Sequence, residues 1–245
     1  MNHFRNFTLL CLFILCTVPV FAQPPSMWYD HPGTITLTDG STKKGVIRTY
    51  GSDQAPWLFQ GDILFMDSTV WMTLKKAKKK DFTAYEPKDL NSYQLHDLAQ
   101  SYVSKPFSDL SSVSLRMIKK RYFMQAIAVG RINLFHYYDA PPNFYVGSEE
   151  DYQKLKQESM NNYVLVEKEA DKLKNITDID IRKYIADCPE VVSKYEAGDY
   201  GVSPHDNDKK KGLGKLVARV MDSNKMKSYA TPLFKDYNAL CPEQK

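Results

Sequence analysis

Cysteine is scarce in this chain, four among 245 residues, and it is absent from any arrangement that does chemistry. Cys11 and Cys16 sit in an apolar leader, which leaves Cys188 and Cys241. Neither belongs to a C-x-x-C pair, and two cysteines alone make no zinc site. Histidine is thin as well. His31, His96, His136 and His205 follow the leader, none of them in H-E-x-x-H or at ligand spacing from a cysteine. There is no G-x-S-x-G, so nothing marks the sharp turn that exposes a hydrolase serine. Gly212-Leu213-Gly214-Lys215 is a fragment of a phosphate loop that lacks the earlier glycine and has Leu216 where Ser or Thr must follow. The formal net charge is only +4, and about +3 without Arg5. That is too small to argue for nucleic-acid or membrane binding through net charge. These absences leave no motif for a cofactor or a catalytic set.

Long apolar runs are missing with one exception. Phe7 to Phe21 is almost unbroken, preceded by Arg5 and followed by Ala22-Gln23-Pro24-Pro25. A basic start, a short apolar core and the Val20-Phe21-Ala22 site predict an export signal over residues 1–22. The run is shorter than the roughly 20 residues of a spanning helix, and no later segment approaches that length. Cys16 is preceded by Phe13, Ile14 and Leu15, too bulky for a lipid-attachment site. The expected destination is outside the cytoplasm: periplasmic, associated with the outer membrane, or secreted. In an oxidising compartment Cys188 and Cys241 are expected to form one bridge, with a reduced, buried pair as the alternative.

What is present reads first as β structure. Thr34 to Thr38 and Lys44 to Arg48 alternate around Asp39-Gly40-Ser41-Thr42, a hairpin signal. Trp57–Phe59, Ile63–Met66 and Val70–Leu74 follow as strand-like pieces, which predicts a small antiparallel, barrel-like domain over 31–85. A second β-rich domain is expected over 92–167, from Tyr102-Val103, Tyr122–Ala128, Ile132–Tyr138 and Tyr163–Val166. Helix remains open for Leu115–Val129. Ile132, Leu134, His136 and Tyr138 fall on one face at period two. From 175 to 241 the pattern turns helical and packs on the β-rich domain. Thr177 is placed as a cap, Ile181, Tyr184 and Ile185 form a stripe, and Leu213 to Met221 line another helix. The expected fold class is therefore α+β: barrel-like unit, second β-rich unit, helical C-terminal region. A bridge would clip the last helix to the one near Pro189.

Several of these segments carry a resemblance. The Thr36–Ile47 hairpin, the Tyr-x-Pro-x-Asp-Leu segment at Tyr85–Leu90, the aromatic stretch Phe123–Leu134 and the terminal Tyr-Asn-x-x-Cys at Tyr237–Cys241 resemble uncharacterised exported proteins of the Bacteroidetes. The resemblance implies export into a Gram-negative envelope and carries no catalytic set.

Four other features invite chemistry. Lys75 to Lys80 hold five lysines around Ala77, a tract that can bind polyanions but reads more simply as a solvated loop. His205 with Asp206 and Asp208 lacks the order of an EF-hand, and metal is not expected there. Ser41-Thr42-Lys43-Lys44 fits S-x-x-K on a hairpin turn, without partner motifs, and Glu149-Glu150 reads as solvated surface. Tyr137, Tyr138, Phe144 and Tyr145 bracket Pro141-Pro142 and are the candidate interaction surface, since large rings bury much area at low entropic cost. Core packing is the competing reading. His136 is expected to be a packed ring with one satisfied nitrogen. The functional expectation is a non-enzymatic envelope protein acting by contact with a protein or a glycan, with a hydrolase of unrecognised site as the alternative.

Overall fold

Gly40 turns the first hairpin with φ 86°, a left-handed conformation that suits glycine. The Asp39 carboxylate accepts the Ser41 backbone N–H at 2.8 Å. Strands β1 (Tyr29–Leu37) and β2 (Thr42–Thr49) pair across this turn. The chain is described here from a computed structural model over residues 29–107, 120–141, 147–159, 163–169, 171–202 and 213–242, the side chains of 158–159 and 213–226 excepted. The leader, Phe144, Tyr145 and the loop holding His205 lie outside the described residues.

Eight further strands follow: β3 (Ile63–Asp67), β4 (Thr83–Tyr85), β5 (Leu90–Leu95), β6 (Gln100–Phe107), β7 (Lys120–Ala128), β8 (Ile132–Tyr137), β9 (Tyr163–Lys168) and β10 (Lys174–Asn175). All ten form one antiparallel sheet in the order β10-β9-β8-β7-β6-β5-β1-β2-β3-β4. This overturns the expectation of two separate β units. The reason lies in β1, which pairs with β2 on one side and with β5 on the other, Gly33 to Leu37 against Leu90 to Leu95. The Tyr85–Leu90 segment is thus a return connection inside the sheet, not an exit from a domain. A core shared by Ile35, Ile47, Phe65, Tyr93, Tyr102 and Phe123 crosses the expected boundary as well.

Two expected strands are short helical turns. Pro56–Phe59 is a 3-10 turn begun by proline, and α1 (Ser68–Trp71) is capped by Asp67, whose carboxylate accepts from Thr69 N at 2.9 Å. The remaining helices are α2 (Glu149–Ser159), α3 (Ile181–Tyr184), α4 (Pro189–Ala197) and α5 (Leu213–Leu240). Asp180, not Thr177, caps α3, its carboxylate accepting from Lys183 N. No helix among the described residues is long and apolar enough to cross a membrane.

Both apolar cores on the sheet's inner face follow from period-two alternation. Residues opposite one another in antiparallel strands share a face, and the register therefore gives transverse rows. One core lies under the β1–β6 half. The other joins Leu134, Val164 and Val166 to Ile181, Val191, Leu233, Phe234 and Tyr237 of the helical region. Each large side chain buried there contributes about 1.5–3 kcal/mol. Cys188 and Cys241 are bonded, with Cα atoms 6.0 Å apart, and fasten the end of α5 to the start of α4.

Candidate functional site

One row of the inner face breaks the apolar pattern. The register aligns Ile35, Tyr93, Tyr102, Gln125, His136 and Val164 across six strands. The ends are apolar and the middle is polar, at the seam between the two cores. A cleft of about 200 Å³ opens there. Its polar lining is Gln100, Tyr102, Gln125, His136, Tyr138 and Lys227; Pro56 and Phe59 supply apolar wall, and Asp53 and Gln157 complete the lining.

Most of the lining is held by neighbours that fix its orientation. Tyr93 donates its phenol hydrogen to the Phe59 carbonyl at 2.6 Å and stacks on Tyr102 with centroids 4.7 Å apart. Tyr102 donates to Gln100 Oε1 at 2.8 Å, and Tyr138 donates to Gln125 Oε1. With both amide oxygens engaged, the two amide NH2 groups are the ends left to donate. Gln60 is buried, and its amide pairs with both backbone groups of Tyr138: Nε2 donates to the carbonyl at 2.6 Å and Oε1 accepts the N–H at 2.5 Å. The Gln60 carbonyl also accepts from Phe123 N at 3.0 Å, so one residue fixes the cleft wall to β7 and to the end of β8.

The electrostatics favour an incoming negative group. Lys227 Nζ lies 2.9 Å from His136 Nδ1. An ammonium donating to Nδ1 leaves the imidazole neutral, with its proton on Nε2. Burial pushes the Lys227 ammonium's pKa below its usual value. Among the described residues no carboxylate forms an ion pair with Lys227. Burial, then the charge of Asp53, pushes Tyr138 up to about 12. Burial first, with Tyr138 and Asp53 adding to it, pushes Tyr102 far above the usual phenol value. Both phenols therefore act as neutral donors. The cleft collects amide and phenol groups around Lys227, and its one carboxylate, Asp53, makes no ion pair with that lysine.

The expected surface residues fall in different places. Tyr138 lies in the cleft, its ring 4.0 Å from that of His136. Tyr137 points to the opposite face and is 6% exposed, among Phe107, Tyr122 and Tyr163 at centroid distances of 4.9, 5.2 and 5.8 Å. Phe144 and Tyr145 lie outside the described residues. His136 is buried on the inner face with Leu134, as its alternation predicts. Sequence reasoning missed Lys227, because a lysine in a long helix looks like solvated surface. The available signal was Gln125 and His136, both polar at core-facing positions of adjacent strands.

Among the described residues no group of three or more His, Cys, Asp or Glu side chains could hold a metal ion. No protein family, characterised protein or solved structure matches the chain.

Proposed function

We propose that this chain is an exported, non-enzymatic binding protein of the cell envelope whose cleft holds the carboxylate of a small polar ligand. The observation that carries the reading is Lys227: a partly buried ammonium that donates to the His136 ring, beside the amide N–H groups of Gln100 and Gln125, whose oxygens are occupied by the Tyr102 and Tyr138 hydroxyls. A partly buried cation that no described carboxylate pairs directly is unfavourable, and an anionic group bound against it would relieve that penalty. Asp53 would accept from a hydroxyl or ammonium elsewhere on the same ligand. Export is supported by the apolar leader, by the resemblance to exported Bacteroidetes proteins, and by the Cys188–Cys241 bond, which suits an oxidising compartment.

Calorimetric titration with succinate and with galacturonate tests this, galactose serving as the uncharged control. Saturable heat with a carboxylate, lost in Lys227→Met and absent with galactose, is the expected result. Equal heats for galactose and galacturonate, or no heat with either acid, would remove the reading.

The hydrolase reading draws on the same lysine, since a buried amine with a lowered pKa can serve as a base. Turnover of an ester or amide probe that disappears in Lys227→Met would favour it over simple binding.

A further inference from the structure

The connection between β3 and β4, at the far end of the sheet from β8, presents apolar and basic side chains together. Val70, Met72 and Leu74 are 46%, 76% and 38% exposed, half of the exposed large hydrophobic residues among those described. Lys75, Lys76, Lys78, Lys79 and Lys80 follow at once, all exposed. Three nearby carboxylates are engaged elsewhere. Asp30 accepts from Arg48 at 2.5 and 2.7 Å, Asp67 caps α1, and Asp81 accepts from the Lys78 backbone N–H at 2.8 Å. Among the described residues no carboxylate forms an ion pair with Lys75, Lys76, Lys78 or Lys80.

The base of this segment is anchored. Trp71 packs edge-on to Phe82 with centroids 6.3 Å apart, and the Arg48 guanidinium lies 4.1 Å over the same ring. Beside it is a hollow of about 330 Å³ lined by Arg48, Trp71, Leu74, Lys75 and Lys76 among others. The loop therefore presents its apolar side chains from a fixed platform.

We propose that this segment is a membrane-surface contact: Val70, Met72 and Leu74 enter the headgroup boundary of an anionic phospholipid bilayer while Lys75, Lys76, Lys78 and Lys80 lie against its phosphates. Charge complementarity selects an anionic partner, since each lysine near such a surface adds attraction that salt screens. The three apolar side chains select lipid over a soluble polyanion, which offers them nothing to enter. Amphipathic segments that lie in the interface combine the same two elements.

The test is co-sedimentation of the full chain, recovered after export, with phosphatidylcholine vesicles and with vesicles containing phosphatidylglycerol. Lys75→Glu/Lys76→Glu and Met72→Asp/Leu74→Asp are compared with the unaltered protein, with thermal melting as the folding control. The variants share whatever the leader contributes, so differences between them report the loop. Salt-sensitive binding to the anionic vesicles, weakened about tenfold or more in each double variant, is expected. Lys75→Gln/Lys76→Gln provides a milder charge change should the reversal impair folding, and it should weaken binding in the same direction. Equal binding to both vesicle types would overturn the proposal. So would anionic binding that Met72→Asp/Leu74→Asp leaves intact, or capture by heparin with no capture by vesicles; either would mark a soluble polyanion site.

Discussion

Asn238, in the last turn of α5, pairs with the backbone of Ile132 as a neighbouring strand would. Its Oδ1 accepts from Ile132 N at 2.9 Å and its Nδ2 donates to the Ile132 carbonyl at 2.8 Å. The amide occupies the space beside Gly130, where any Cβ would run into it. Asn238→Ala leaves two backbone groups of a buried residue without these partners, and a loss of about 2 kcal/mol is expected. Gly130→Ala should destabilise by displacing the same amide. Urea denaturation of both variants checks this, with the midpoint falling in each.

Asp187 is the second fastening. It accepts from Lys168 Nζ at 2.6 Å, Arg131 Nη2 at 2.7 Å and the Tyr237 hydroxyl at 2.7 Å. Burial pushes its carboxyl pKa up, but the hydrogen bonds from Lys168, Tyr237 and Arg131 outweigh that and hold it well below the usual range. A carboxyl with a depressed folded pKa contributes stability that is present above its unfolded value and lost as pH falls through the folded one. The side chain is 41% exposed. With that exposure discounted, Asp187→Asn should cost about 1–2 kcal/mol near neutral pH. The gap to the unaltered protein should narrow as pH falls below about 4. Thermal melts at a series of pH values read both.

The Cys188–Cys241 bond closes a loop over a sequence separation of 53. In the chain-entropy account this restricts the unfolded state by about 4 kcal/mol. Reduction, or replacement of both cysteines by alanine, should lower the melting temperature and release the end of α5 first. Hydrogen exchange at Leu233 to Leu240 measures that local loss, and intact mass after alkylation without reductant should show neither Cys188 nor Cys241 alkylated.

Lys227 ought to trade stability for binding. Its folded pKa is lowered, so the folded state holds the proton less firmly than the unfolded state. The resulting penalty is full below the folded pKa and fades as pH rises toward that of an unfolded lysine. Lys227→Met should therefore match or exceed the unaltered protein in melting temperature at neutral pH, and the difference should shrink in alkali. A melting temperature several degrees lower at neutral pH would contradict this.

The first hairpin, the strands around Phe123 and Leu134, and the helical C-terminal region were legible because alternation and turn residues are local signals. The single sheet was not, because it depends on β1 receiving β5 across the excursion through β2, β3 and β4. No local pattern records a partner some sixty residues away, and Leu90 to Leu95 alternates too imperfectly to announce a strand (Leu90, Tyr93 and Leu95 are its buried residues). The Val70–Leu74 segment misled for the opposite reason. Its β-favouring residues are exposed, and Asp67 starts a helical turn instead. Of the cleft, His136 was placed correctly by its alternation with Leu134. Lys227 became visible only once α5 was laid across the end of that row.

The most direct test of the account is NMR titration of the isotope-labelled protein with succinate near neutral pH, following the Gln100 and Gln125 side-chain amides and the His136 ring. The account predicts saturable shifts at all three residues, abolished in Lys227→Met. Shifts confined to other parts of the chain, or identical in the variant, would contradict it.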